Sequence, residues 1–156
     1  MRESEISTTT IGKGAQGTRE TLRIMAGMVR HAVSMEPFRE FALFFPNAQS
    51  VEVIRKYFRY TPEDVETLYS PEYQLYSLIH TGQFTGDCDD IAMMYAAIFH
   101  VLGLSTRFVA MKTKRNDPEF LHVVVETFEN NRWKRFDPTV KPGMIQIDFG
   151  QMVEYI

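Results

Sequence analysis

Cys88 is the only cysteine in the chain, and it lies in a polar stretch, Gly86-Asp87-Cys88-Asp89-Asp90, that opens onto an apolar run. A cysteine at the start of a helix faces unpaired backbone N–H groups and the positive end of the helix dipole. Both favour the thiolate, which is the nucleophilic form. Such a thiol needs a base. His122, in Leu121-His122-Val123-Val124-Val125, supplies an imidazole, whose charge changes near neutrality. Asp137, in Phe136-Asp137-Pro138-Thr139, supplies a carboxylate that can hold the imidazole in one tautomer. Attack on a carbonyl also needs donors for the developing oxyanion. The backbone N–H of Cys88 is one. Gln83, five residues upstream, is the candidate for the second, with Gln74 and Tyr73 as alternatives. Together these residues suit acyl transfer through a thioester: Cys88 attacks, His122 acts as base and then acid, and Asp137 orients the ring.

Other clusters read more simply. Asp87, Asp89 and Asp90 look metal-like, but adjacent carboxylates at a helix start act as caps and dipole partners. Close to the sulfur they oppose the thiolate. No metal or cofactor is expected. His31, His80 and His100 have no evident partners and read as surface or satisfied residues. Lys112, Lys114, Arg115, Arg132, Lys134 and Arg135 read as a solvated sheet face.

The proposed residues require particular elements to hold them. Residues 88–102 are apolar almost all round, with small Ala92, Ala96 and Ala97, which predicts a buried central helix ending at Gly103. Before it, the spacing predicts helices from Thr18 to Ser34, from Phe38 to Phe45, from Val51 to Tyr60 behind a Ser50 cap, and from Pro71 behind a Ser70 cap. After it the period changes to that of strands: Thr106 to Thr113, Phe120 to Phe128, and Arg132 to Asp137, with Asn130-Asn131 as a hairpin turn. Ile145, Ile147 and Phe149 alternate and suggest a last short strand. The hairpin places His122 and Asp137 roughly opposite each other. The expected fold class is α+β, with N-terminal helices and a central buried helix packed on an antiparallel sheet.

Bulk composition sets the outer bounds. The chain of 156 residues suits a single domain, and 44% hydrophobic with 24% charged residues suits an ordinary globular one. Residues 1–17, with Ser-Thr-Thr-Thr and three glycines, are expected to form a flexible arm ahead of a domain at 18–156. A net charge of −3 argues against a dedicated nucleic-acid binder. No apolar run approaches the ~20 residues of a membrane span, and no signal-peptide core is visible. A reducing, cytoplasmic setting is the expectation.

Several pieces together resemble the transglutaminase-like superfamily of papain-type cysteine enzymes. They are Gly86-Asp87-Cys88-Asp89-Asp90, Leu102-Gly103-Leu104, Arg107-Phe108-Val109, Leu121-His122-Val123 and Trp133-Lys134-Arg135-Phe136-Asp137-Pro138-Thr139. Thr61-Pro62-Glu63-Asp64 and Ser70-Pro71-Glu72 match the lead-in to the cysteine, so the resemblance covers about residues 50–140. The stretch from Gly12 to Leu22 resembles small stand-alone members encoded in bacteriophage and prophage structural-gene regions. The resemblance implies a papain- or transglutaminase-like core and maps the family triad onto Cys88, His122 and Asp137. Val123 and Val124 depart from the small residue and aromatic that usually follow the histidine. The implied activity is hydrolysis or transamidation of an amide in a protein or peptide. The alternative is a virion or assembly protein with a dormant triad, docking other phage structural proteins through its N-terminal arm.

Overall fold

The computed structural model describes residues 6–8, 14–62, 67–116, 119–140 and 150–156, with backbone only at 6–8 and 14–15. Its centre is helix α4, Cys88–Val101, preceded in the chain by strand β1, Ile6–Thr8, and helices α1, Gly14–Val33, α2, Glu36–Ala42, and α3, Pro71–Thr81. Every residue of α4 from Asp89 to Phe99 is buried. Each large apolar side chain sunk this way contributes about 1.5–3 kcal/mol, so the helix is fixed by its own core rather than by local propensity. It packs against α1 on one side and against strand β6, His122–Glu129, on the other.

The main sheet has four antiparallel strands in the order β7-β6-β5-β8, where β5 is Thr106–Met111, β7 is Arg132–Phe136 and β8 is Gln151–Tyr155. Strands β5, β6 and β7 form the expected meander. Asn130 and Asn131 both have positive φ, 53° and 61°, as a two-residue primed hairpin turn requires. The final strand returns along the far side of β5, over Gln151–Tyr155. The strand expected from Ile145, Ile147 and Phe149 lies outside the described residues.

Two small sheets sit beside the N-terminal end of α4. β1 pairs antiparallel with β3, Thr67–Tyr69, so three residues of the expected flexible arm are held in a sheet, and α1 already starts at Gly14. β2, Phe58–Tyr60, pairs in parallel with β4, Phe84–Gly86. The helix expected over Val51 to Tyr60 is instead a 3-10 helix, Gln49–Tyr57, followed by β2. A 3-10 helix repeats every three residues, which suits buried Val51 and Ile54 as well as an α-helical spacing does. The pairing with β4 then draws the chain out into a strand. α3 forms as expected: Ser70 caps it by accepting the Tyr73 N–H at 3.3 Å, and Gly82 ends it at φ 79°.

Candidate active site

The Gly86-to-Asp90 stretch is a built corner. Asp87 is the N-cap of α4, and its carboxylate takes the N–H of Asp89 at 3.0 Å and that of Asp90 in a capping box. Asp90 is fully buried and works backwards. Its Oδ2 accepts the Asp87 N–H at 2.9 Å, and its Oδ1 accepts the Tyr69 N–H at 2.7 Å, tying the helix start to β3. Gly86 has φ 157°, and a Cβ there would lie 2.3 Å from Asp90 Oδ2. Glycine is therefore required both by the backbone and by the approach of the carboxylate.

Cys88 occupies the first position of the helix thus capped, and it is partly exposed. Its thiol donates to Asp89 Oδ1 at 3.7 Å, and its sulfur accepts the backbone N–H of Val123. β7 ends at Phe136, opposite Val125, so its ladder with β6 stops before it reaches Val123. The expectation of a thiolate stabilised in the resting state is not met. Burial, then the carboxylates of Asp89 and Asp87, push the Cys88 thiol well above its usual range, against the pull of the Val123 N–H. These surroundings favour the thiol over the thiolate.

The residue next to Val123 is His122, which is buried. Its Nε2 lies 2.7 Å from Asp137 Oδ2. An ionised carboxylate can only accept, so Nε2 carries a proton, and in the neutral ring Nδ1 is the nitrogen left to accept one. The register refines the expected pairing. Val125 faces Phe136, so continuing the ladder sets Asp137 beside Val124, and His122 lies two residues farther along on the same face. The pair is thus diagonal, and the two side chains meet because the offset is even. Asp137 is fixed in turn by the Thr139 hydroxyl at 2.9 Å and the Thr139 N–H at 3.3 Å. Burial alone would raise its carboxyl, but the hydrogen bonds and charge of His122, with those from Thr139, outweigh it and hold the group below its ordinary value. One residue beyond Thr139, the Val140 carbonyl accepts from Arg55, which also pairs with Glu52 at 2.9 Å.

Of the oxyanion candidates, Gln83 is exposed at the far end of β4. The side-chain amide of Gln74 gives both hydrogens away, to Tyr69 O at 2.7 Å and Asp90 O at 2.8 Å. Tyr73 stacks on Tyr69 with ring centroids 5.6 Å apart. Sequence reasoning missed Tyr60. Strand pairing sets it opposite Gly86, and its hydroxyl is pushed up by burial, by Cys88 once that thiol ionises, and by the carboxylates of Asp87 and Asp89. Asp87, Cys88 and Asp89 also bring possible ligand atoms within 4.8 Å of one another, but these are the cap, the thiol and the thiol's own acceptor. Among the described residues, no helix is long and apolar enough to cross a membrane.

Comparison with known proteins identifies the family and the fold. Residues 47–138 match the family model of the transglutaminase-like superfamily, and the chain belongs to that superfamily. Two solved structures are similar to the chain at low identity. A candidate cysteine protease from Cytophaga hutchinsonii is 16% identical, with a TM-score of 0.45 over 83% of this chain and 40% of that one. A candidate protease from Parabacteroides distasonis is 14% identical, with a TM-score of 0.51 over 74% of this chain and 25% of that one. The chain therefore spans well under half the length of either structure. No match was found among curated proteins. The fold is that of a cysteine enzyme of the papain and transglutaminase type.

Proposed function

We propose that the protein is a cysteine-dependent acyl-transfer enzyme acting on carbonyl groups of proteins or peptides. One observation carries the reading: the N–H donated to the Cys88 sulfur belongs to Val123, the neighbour of a histidine already locked to a carboxylate through Nε2. Nδ1 is then the nitrogen that takes the thiol proton as sulfur attacks. Because the surroundings of Cys88 favour its thiol, His122 draws the proton off as a general base when sulfur attacks. The sulfur bonds to the carbonyl carbon, and the leaving group departs with the proton held on His122. Water or an amine then takes the acyl group from the thioester, returning its own proton through Nδ1.

The direct test is intact-protein mass spectrometry during reaction with p-nitrophenyl acetate. The reading expects an acetyl group on Cys88, reduced at least tenfold in rate by His122→Ala and absent in Cys88→Ala. The carboxylates of Asp87 and Asp89 favour a second reading, a binding module whose thiol is silent. That reading expects acetylation no faster than that of a free thiol.

A further inference from the structure

We propose that the Tyr60 hydroxyl and the Cys88 backbone N–H together form the oxyanion hole of this site, which makes Tyr60 a catalytic residue. The inference rests on the acyl-transfer reading above and names a donor that motif reasoning did not find.

The backbone places the residue. β2 runs parallel to β4 with Tyr60 opposite Gly86, and the next residue, Thr61, donates its N–H to the Gly86 carbonyl at 2.7 Å. Two peptide bonds farther along is Cys88. Tyr60 is thus clamped against the strand that delivers the nucleophile, while its side chain stays open to an incoming substrate, with 54% of the residue exposed.

Counting donors points to the same pair. The first intrahelical bond of α4 runs from Ile91 to Asp87 O, so the N–H groups of Cys88, Asp89 and Asp90 have no helical partner. Asp87 takes those of Asp89 and Asp90, which leaves the N–H of Cys88 for a ligand. A second donor must come from a side chain. Gln74 has spent its hydrogens, and Gln83 is exposed ahead of β4. The Tyr60 hydroxyl makes no hydrogen bond among the described residues. Its surroundings also preserve it as a donor: partial burial, then Cys88 once its thiol ionises and the carboxylates of Asp87 and Asp89, resist its ionisation. A phenol whose ionisation is pushed above its usual range can give its hydrogen to an oxyanion without competing for the proton of the thiol.

In the step itself, sulfur bonds to the carbonyl carbon and the thiol proton moves to His122 Nδ1. The carbonyl π pair moves onto oxygen, where Tyr60 and the Cys88 N–H meet it. Collapse of that oxyanion breaks the bond to the leaving group, which takes the proton from His122.

Two electrophiles separate this role from structural support. p-Nitrophenyl acetate passes through an oxyanion, whereas iodoacetamide alkylates sulfur by displacement and forms none. Tyr60→Phe should slow acetylation of Cys88 by about 100-fold, the scale of losing one oxyanion donor, while alkylation stays within twofold of wild type. Acetylation at the wild-type rate in Tyr60→Phe, or equal loss in both reactions, overturns the proposal. A wild-type protein in which neither reaction depends on His122 overturns the acyl-transfer reading itself, whatever Tyr60→Phe does.

Discussion

Replacing Gly86 by alanine tests the corner that presents Cys88. Two costs can be worked from the geometry. The first is conformational: φ of 157° is a region left almost entirely to glycine, at about 1–3 kcal/mol for other residues. The second is steric. The new Cβ would lie 2.3 Å from Asp90 Oδ2 and 2.6 Å from Asp90 Cβ, so rotating the carboxylate cannot clear it. The first turn of α4 must move, and Asp90 then loses the N–H groups of Tyr69 and Asp87. Hydrogen bonds to a charged group are worth about 1.5–3 kcal/mol each. Gly86→Ala should therefore lower unfolding stability by roughly 4–9 kcal/mol, a large part of what a domain of this size has. Urea unfolding followed by far-UV circular dichroism and by the fluorescence of Trp133, the single tryptophan, reads this directly. A loss below about 1 kcal/mol would refute the reasoning, since even the backbone cost alone would then be missing.

Further outcomes follow from the charges around the thiol and the imidazole. Asp89→Asn removes the carboxylate nearest the sulfur, so iodoacetamide should alkylate Cys88 faster at neutral pH. The gain should be about threefold for each unit the thiol falls, since lower basicity returns part of the tenfold rise in thiolate. An unchanged or slower rate would count against Asp89 as a brake. Asp137 is held below its ordinary value of 3.8 in the folded state. Its ionised form thus stabilises the fold above that value, and the contribution fades as pH falls through the lower folded one. In urea titrations the gap between wild type and Asp137→Asn should narrow as pH falls below about 4. A gap that widens on acidification contradicts the assignment.

How much of this was legible in the chain depended on whether the signal was local. The central helix was legible because Asp87 caps it and its faces are apolar all round. The hairpin was legible because only residues tolerant of positive φ suit its turn, and Asn130-Asn131 are such residues. His122 and Asp137 came together even though their register was read two residues out, because an even offset keeps both side chains on one face. The strands β2 and β4 were invisible for the opposite reason. Each has three residues and exists only because the other lies beside it. The helical spacing that starts at Val51 therefore carries on to Tyr60 in the sequence, where the structure has a strand. The protonated state of the thiol was also hidden. The helix start argues for a thiolate, and only the placement of Asp89 3.7 Å from the sulfur, with the loss of solvent around it, decides the contest.

The central claim is that His122 draws the proton from a Cys88 thiol that does not ionise by itself near neutrality. The pH dependence of Cys88 acetylation by p-nitrophenyl acetate, measured side by side for wild type and His122→Ala, tests it most directly. The account predicts substantial acetylation of the wild type at neutral pH, and for His122→Ala a rate that appears only in the alkaline range where the thiol ionises unaided. Superimposable profiles, both rising only in alkali, would contradict it.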